Sequence, residues 1–362
     1  MKDRILLIQP ASAPSGSSHN QRLEDVVSFS LDAHEYTVAS TLDELVDELK
    51  PETRPRFILW AVDIGVTGIN LELYRMLDHI RCHDTILEGT IGGIIIDGKS
   101  RNYTKSVGRS VVLACNMAGA AFPGRCLVEG HSNLSNYTIQ AQNLDTDLMG
   151  AYRLAGRGLI DEMHLYDTKH SRKKYPKLLV IHASDSRTSN TLALWELVKS
   201  HLDGCDFREI SLRNGEIMDC RGCSYEVCRY FSSSGKCFYG GTITELVYPG
   251  LLECDALIML CPNYNDAISA NLAAFVNRMT ALFVSNRFYD KSLFSIIVSG
   301  YSGGEIIAEQ LVSGLCMNKT LSLPPRFALI ETANQPGEIL HLDGIESRAK
   351  EFADRILSAI HS

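Results

Sequence analysis

Short apolar runs alternate with helically spaced apolar residues along the chain, and this rhythm constrains the fold more than any other feature. In the second half, the runs predicted as strands are 177–181, 207–212, 257–261, 293–299 and 326–332. Helical patterns fall between them, most clearly at 269–283, 305–316 and 344–360. Uninterrupted apolar strands that alternate with helices are typical of a parallel sheet covered on both faces.

The first half repeats this rhythm. Its predicted strands are 4–8, 35–39, 57–62, 91–96 and 126–129, and its clearest helical patterns are 71–80 and 105–117. The segments 92–96 and 116–122 resemble 256–260 and 277–283. An ancient duplication or two independent α/β domains would each account for that likeness. The sequence therefore predicts an α/β protein with two doubly wound, flavodoxin-like domains, each built on a parallel five-stranded sheet.

A polar and basic segment separates the two halves. Residues 168–176 include three lysines or arginines in a row and end at Pro176. This composition is typical of a domain linker, although a solvated surface loop shares it. We therefore expect domains at 1–167 and 177–362 joined by this segment.

Composition and charge exclude several functional classes. The chain has 362 residues and a formal net charge of −8, which argues against nucleic acid as a partner. No apolar stretch reaches the roughly 18 residues of a membrane span, and the apolar run at 5–8 is too short for a signal peptide. We expect a cytoplasmic protein without a membrane partner. Its eleven cysteines are then expected to be thiols or metal ligands instead of disulfides.

A hydroxyl-rich loop lies between the first strand of the second half and the helix after it. The segment 183–191, called here the phosphate loop, has the sequence Ala-Ser-Asp-Ser-Arg-Thr-Ser-Asn-Thr. A strand that feeds hydroxyls into a helix N-terminus is suited to bind an anion. Because the loop has no glycine, neither the dinucleotide fingerprint nor the Walker loop fits it. A terminal monophosphate suits it better than a buried pyrophosphate.

Two further loops follow buried strands and are expected at the same edge of the sheet. The ring loop, 262–265, offers Tyr264 as a flat ring and Asn263 and Asn265 as amide hydrogen-bonding groups. The glycine loop, 299–304, lets the backbone approach a planar ligand closely. Ligands of doubly wound sheets bind at this edge, so the three loops together predict one binding site.

Together these loops resemble the NADPH-dependent FMN reductase family, including its iron–sulfur flavoprotein branch, over residues 177–362. The family shows a Gly-Ser-Pro-Arg-X-X-Gly-Asn-Thr loop, a Pro-X-Tyr loop and a Lys-X-Phe-X-Asp-Arg helix. This chain departs from it at Ser186, Ala273 and Asn277, where the family has arginine, lysine and aspartate. The resemblance implies an FMN site made of Ser184, Ser186, Arg187, Ser189, Asn190, Thr191, Pro262, Asn263, Tyr264, Asn265, Ser299, Gly300, Tyr301 and Gly303.

A cysteine-rich insertion follows the second strand, where members of this family also carry one. Cys220, Cys223, Cys228 and Cys237 have spacings that a [4Fe–4S] cluster or a structural zinc ion would accept, and unligated thiols are the third alternative. The cluster-bearing branch has a more compact motif, and Glu226 stands here where its third cysteine would be.

The resemblance implies an FMN-dependent oxidoreductase. It would take hydride from NAD(P)H and reduce a quinone, flavin, nitro or azo compound, or a redox protein. The alternatives are an iron–sulfur flavoprotein for electron transfer and a non-catalytic binding protein on the same scaffold. Since family members dimerise near the flavin, the resemblance also implies a pseudo-dimer within one chain or a homo-oligomer.

In the first half, the segments 10–20 and 97–103 replace the phosphate and ring loops. We therefore expect that half to be a degenerate, structural copy that has lost the flavin.

Overall fold

The computed structural model describes residues 4–11, 20–170, 172–185, 187–213 and 217–361. The chain divides into two compact units, Met1–Thr168 and Lys169–Ser362. Within the described residues, no helix combines the length and the apolar composition that crossing a bilayer requires.

The first unit contains five strands and six α-helices among its described residues. In chain order they are β1 (Ile5–Ile8), α1 (Gln21–Leu31), β2 (Tyr36–Ala39), α2 (Leu42–Glu48), β3 (Phe57–Asp63), α3 (Leu71–Arg81), β4 (Ile91–Asp97), α4 (Thr104–Met117), β5 (Leu127–Gly130), α5 (Thr138–Leu144) and α6 (Leu148–Lys169). All strands are parallel, in the order β2-β1-β3-β4-β5. Residues 168 and 169 of the expected linker lie in α6.

The second unit repeats the plan. Its elements are β6 (Lys177–His182), α7 (Asn190–Lys199), β7 (Asp206–Ser211), α8 (Tyr225–Ser232), α9 (Tyr248–Glu253), β8 (Ala256–Pro262), α10 (Ala270–Ser285), β9 (Ser292–Ser299), α11 (Gly304–Leu311), β10 (Ala328–Thr332) and α12 (Ile345–Ile360). Its parallel sheet has the order β10-β9-β8-β6-β7. In both units the spatial order of strands is therefore 2-1-3-4-5, the flavodoxin-like order. The predicted fold class is confirmed.

Helices cover each sheet with apolar side chains. In the first unit, Leu159 and Met163 of α6 pack with Val26 of α1 against the central strands. In the second, Trp195 of α7 and Phe352 of α12 occupy the equivalent core, both fully buried. Burying each such side chain contributes about 1.5–3 kcal/mol, which fixes the sheet and the loops at its edge.

The sequence similarity between the two halves matches strands that are not equivalent in the two sheets. It matches 92–96 with 256–260, but these segments belong to β4, the fourth strand of the first unit, and β8, the third strand of the second. Strand order instead matches β4 with β9. Isolated bridges Ile91–Ala121 and Ser292–Ser322 mark the same position in the two units. Both segments are wholly apolar because they belong to buried central strands, and this explains the misleading match.

Candidate functional site

The phosphate loop leaves the second sheet at the point where the strand order reverses. Strand β6 lies between β7 and β8, and the chain runs from β6 to β7 on one side before returning to β8 on the other. Doubly wound folds bind ligands at this switch point, outside the carboxyl ends of the strands. Ser189 caps α7, because its side chain accepts a hydrogen bond of 3.2 Å from Leu192 N. The positive end of a ten-residue helix therefore opens onto the loop.

Ser184 is the most informative side chain of this loop. The residue is 4% exposed, and its Oγ is buried without a hydrogen-bond partner among the described residues. An unpaired buried hydroxyl costs about 1–3 kcal/mol, so natural proteins rarely retain one without a use. An anion at the N-terminus of α7 would supply the missing partner.

Asn190 connects the phosphate loop with a segment that the sequence analysis missed. Its Nδ2 donates to Ala333 O at 3.2 Å and to Gln335 O at 2.9 Å, and its Oδ1 accepts from Gly337 N at 2.9 Å. The segment 333–337 follows β10, and so it reaches the same edge of the sheet. In the sequence, this segment could have been recognised from its position directly after a predicted strand. The Asn190 side chain thus forms its hydrogen bonds with the backbone of this segment. Thr191, the next residue, is buried.

Charged groups surround Asp185 in the same loop. Asp185 Oδ1 accepts from Arg187 N at 3.0 Å, and its carboxylate forms ion pairs with Arg213 and, at 3.7 Å, with Arg187 Nε. The Arg187 backbone N–H, followed by Arg213, holds the pKa of Asp185 below its usual value. Ser186 lies outside the described residues. The ionised carboxylate of Asp185 is therefore paired with two arginines, Arg187 of the loop and Arg213 from outside it.

His182 ends β6 directly before the loop. Its Nδ1 accepts a hydrogen bond of 3.4 Å from Ser184 N. Burial lowers the pKa of this histidine, so the neutral ring is favoured near pH 7. His182 therefore orients the backbone of Ser184 and adds no positive charge.

The ring loop and the glycine loop are connected by one side chain. Asn263 Nδ2 donates to Ser299 Oγ at 3.2 Å and to Ser302 O at 2.9 Å, and its Oδ1 accepts from Asp266 N at 2.8 Å. Pro262, directly before it, is the last residue of β8. This asparagine holds the two loops at a fixed separation.

Backbone conformation shapes both loops. Asn265 and Asp266 have φ values of +53° and +57°, which turn the ring loop back so that Tyr264 and Ala267 form a bridge. Gly303 has φ +85°, and a Cβ there would lie 2.2 Å from Asp266 Oδ1. Only glycine therefore allows the two loops to approach this closely.

Two tyrosines remain on the surface of these loops. Tyr264 is 56% exposed and Tyr301 is 81% exposed. Tyr301 Oη accepts a hydrogen bond of 2.9 Å from Asn334 Nδ2, which connects the glycine loop, beside Gly300, with the segment 333–337. Since Asn190 binds the same segment, a chain of hydrogen bonds joins all three predicted loops at one edge.

The four cysteines of the insertion line one cavity of about 270 Å³. Phe231 and Phe238 contribute aromatic walls, and Asn277 and Arg278 of α10 form another side. Cys220 and Cys223 are exposed. Within the part of the chain that the structure describes, no three His, Cys, Asp or Glu side chains are arranged to hold a metal ion.

Arg278 holds the cysteine segment in place. Its Nη1 donates to Met218 O at 3.2 Å, and its Nη2 donates to Gly240 O at 2.8 Å and to Thr244 Oγ1 at 2.9 Å. Arg278 as a residue is 3% exposed, and its Nε has no hydrogen-bond partner among the described residues. A buried cation therefore borders the cavity that the thiols line.

The comparison with protein families decides the assignment of this unit. Residues 176–335 match the model described as NADPH-dependent FMN reductase. These residues of the second unit are similar to that family. The matched residues contain the phosphate, ring and glycine loops and the cysteine insertion, so the resemblance found in the sequence is confirmed.

Solved structures give weaker likenesses. An apo NADH:FMN oxidoreductase is 18% identical, with 52% of this chain and 91% of that chain covered and a TM-score of 0.36. An NAD(P)H:quinone oxidoreductase from Methanothermobacter marburgensis is 15% identical, with 50% and 99% covered and a TM-score of 0.39. An azoreductase from Bacillus anthracis is 15% identical, with 49% and 99% covered and a TM-score of 0.37. No curated protein matches the chain in sequence.

The corresponding edge of the first unit is filled by its own side chains. Asp63 ends β3 and Asp97 ends β4, and Asn20 Nδ2 donates to both carboxylates, at 3.2 and 2.9 Å. Arg22 donates to both oxygens of Asp97, at 2.8 and 2.6 Å. Asp97 is fully buried. In the second unit, the residues paired at the corresponding register position are the uncharged Pro262 and Val298.

Proposed function

We propose that the second unit binds FMN at the carboxyl edge of its sheet and works as an FMN-dependent NAD(P)H oxidoreductase. The observation that carries this proposal is the buried hydroxyl of Ser184, in the phosphate loop that precedes α7, which has no hydrogen-bond partner among the described residues. The match of residues 176–335 to the NADPH-dependent FMN reductase family supports it.

The phosphate loop would hold the FMN phosphate. The Ser184 hydroxyl would donate to a phosphate oxygen, and the positive end of α7 and Arg187 would favour the dianion. Ser186, Ser189 and Thr191 complete the proposed hydroxyl set. Asn190 would contribute by fixing the loop against the segment 333–337, since its side chain already makes three hydrogen bonds to backbone.

The ring and glycine loops would hold the isoalloxazine. Pro262 to Asn265 and Ser299 to Gly303 form the proposed edges of the ring site, and the Asn263 amide keeps them apart by a constant distance. Bound FMN would supply the hydride and electron transfer itself, so the chain needs no acid–base pair of its own. The residues bind and orient the ring. The exposed faces of Tyr264 and Tyr301 leave room for a quinone, flavin, nitro or azo acceptor, or for a redox protein.

The absorption spectrum of the purified protein, followed by titration of the flavin-free protein with FMN, tests this function. We expect a flavin spectrum that is bleached by NADH or NADPH without oxygen. A colourless protein that takes up no added FMN would contradict the proposal. It would favour the alternative, a non-catalytic binding protein.

A second candidate function, electron transfer through a [4Fe–4S] cluster, is favoured by one observation. Cys220, Cys223, Cys228 and Cys237 line a single cavity, and the buried Arg278 beside them would offset the negative charge of a thiolate-bound cluster. The described side chains are not arranged as a metal site, so the segment 220–237 would have to close around the cluster.

Iron and sulfide analysis of protein purified without oxygen tests this candidate. A cluster predicts four irons per chain, and Cys223→Ser should lose them. Cys82→Ser, an exposed cysteine of the first unit, is the matched control. Iron-free protein with a pure flavin spectrum would exclude the cluster and leave the oxidoreductase proposal intact.

A further inference from the structure

We infer that Arg213, held in place by Asp185, supplies the fixed positive charge of the phosphate loop and makes the site prefer flavins that carry a phosphate. This inference rests on the FMN site proposed above. The sequence places serine at 186 where the family loop has arginine. Arg213 comes instead from the end of the neighbouring strand, β7.

The sheet fixes where Arg213 stands. Strands β6 and β7 are paired in register up to His182 and Ser211. Leu212 N then donates to His182 O at 2.7 Å, so the pairing continues as both strands end. Arg213 therefore leaves the sheet beside the start of the phosphate loop. Its Nη1 forms an ion pair with Asp185 Oδ2.

The charges around Asp185 favour an anion. An aspartate alone in a phosphate loop would repel a phosphate dianion. Here the Arg187 backbone N–H and Arg213 keep this carboxylate ionised, and two guanidinium groups against one carboxylate give the cluster a net charge of +1. The cluster therefore attracts phosphate despite its acidic residue.

The two arginines differ in how well they are placed. The Arg187 side chain is 87% exposed, and its Nε lies 3.7 Å from the carboxylate, so solvent and salt screen it. The Arg213 side chain is 44% exposed and makes the closer ion pair. A guanidinium that is already oriented loses less entropy when it binds phosphate. Asp185 is thus a positioning residue, and Arg213 is the residue proposed to touch the phosphate.

The test compares FMN with riboflavin, which lacks the phosphate, as ligands of the flavin-free full-length chain. Arg213→Met should raise the Kd for FMN about tenfold, the loss expected for one charge-assisted hydrogen bond, and leave the Kd for riboflavin within about twofold. Arg208→Met is the matched control. It removes a similarly exposed arginine of β7, one that pairs with Glu253. Flavin fluorescence quenching measures all values.

The outcomes separate this inference from the proposed function. If the wild-type chain binds FMN and Arg213→Met retains the wild-type Kd, the inference is wrong and the FMN site stands. Equal weakening of FMN and riboflavin by Arg213→Met also overturns it, since this would indicate a general structural role. A wild-type chain that binds neither flavin overturns both.

Asp185→Asn tests the positioning role, because the amide retains an acceptor for Arg187 N. With Arg213 present, this variant should weaken FMN binding about threefold, because the guanidinium is no longer held. In the Arg213→Met background, the same change should strengthen FMN binding, because only repulsion is then removed. Weakening of equal size in both backgrounds would show a loop-stabilising residue and contradict the positioning role.

Discussion

Asp97 of the first unit and Val298 of the second occupy the same register position in their sheets. Asp97 pairs with Asp63 at the ends of the third and fourth strands, and Val298 pairs in the same way with Pro262. The second unit thus begins its ring and glycine loops from apolar residues. The first unit has carboxylates at these positions, of which Asp97 is fully buried and is neutralised by Arg22. The two sheets therefore have the same strand order but different residues at their carboxyl edges.

The Arg22–Asp97 ion pair should stabilise the first unit. Asp97→Asn should lower the free energy of unfolding of that unit by about 3 kcal/mol, because it leaves a partly buried guanidinium without its charged partner. Trp60 and Trp195 are the only tryptophans, one in each unit. Urea unfolding in a Trp195→Phe background, followed by Trp60 fluorescence, measures the change.

Asp47→Asn is the control for that measurement. Asp47 pairs with Lys50 on the surface and is 72% exposed. This variant should unfold with the wild-type midpoint, since exposed ion pairs contribute little. Equal destabilisation by the two variants would contradict a special role for Asp97.

Ser184→Ala should weaken FMN binding about tenfold, because in the proposed site this hydroxyl donates to the phosphate. The hydroxyl has no partner among the described residues, so its removal should leave the stability of the flavin-free protein unchanged or slightly higher. FMN titration and thermal unfolding of the flavin-free protein measure the two effects. A loss of stability with unchanged FMN binding would indicate a structural serine.

Asn190→Ala should behave differently from Ser184→Ala. It removes three hydrogen bonds to the segment 333–337, so the second unit should lose about 2 kcal/mol of stability as well as FMN affinity. Trp195 fluorescence in a Trp60→Phe background follows this unit. Asn136→Ala in the first unit, where Asn136 Nδ2 donates to Glu129 O, should leave FMN binding unchanged. Wild-type stability of Asn190→Ala would contradict the tethering role.

Native alkylation should distinguish the cysteines by burial. Burial raises the pKa of Cys261 to about 12 from an ordinary value of 9.0, so its reactive thiolate is almost absent at pH 8. Iodoacetamide at pH 8 should label the exposed Cys220 and Cys223 and spare Cys261. Mass spectrometry counts the labels. Labelling of Cys261 at the rate of Cys220 would contradict the described core.

Most of the fold was predictable because buried parallel strands leave a strong local signal. The predicted strand 57–62 differs from β3 by one residue, and 293–299 differs from β9 by one. Helices with mixed or short apolar faces gave less signal, and α1, α2 and α6 were not predicted. The predicted helix 305–316 is α-helical only to Leu311 and continues as a π-helix, which spacing alone does not reveal.

The loops of the site were predictable because each follows a buried strand, but their partners were not. The hydrogen bonds of Asn190 reach residues more than 140 positions away, and Arg213 reaches Asp185 from another strand. Such contacts depend on strand order and on register. The spacing of residues within one loop does not reveal the strand order or the register.

The number of FMN molecules bound per chain tests the central claim most directly. Titration of the flavin-free protein, with FMN measured by absorbance after removal of the unbound flavin, should saturate at one FMN per chain. We expect one FMN because the second unit has the unpaired hydroxyl of Ser184 in its phosphate loop. In the first unit, the ion pair of Arg22 and Asp97 occupies the corresponding edge of the sheet. A value near two would contradict the filled edge of the first unit, and a value of zero would contradict the proposed function.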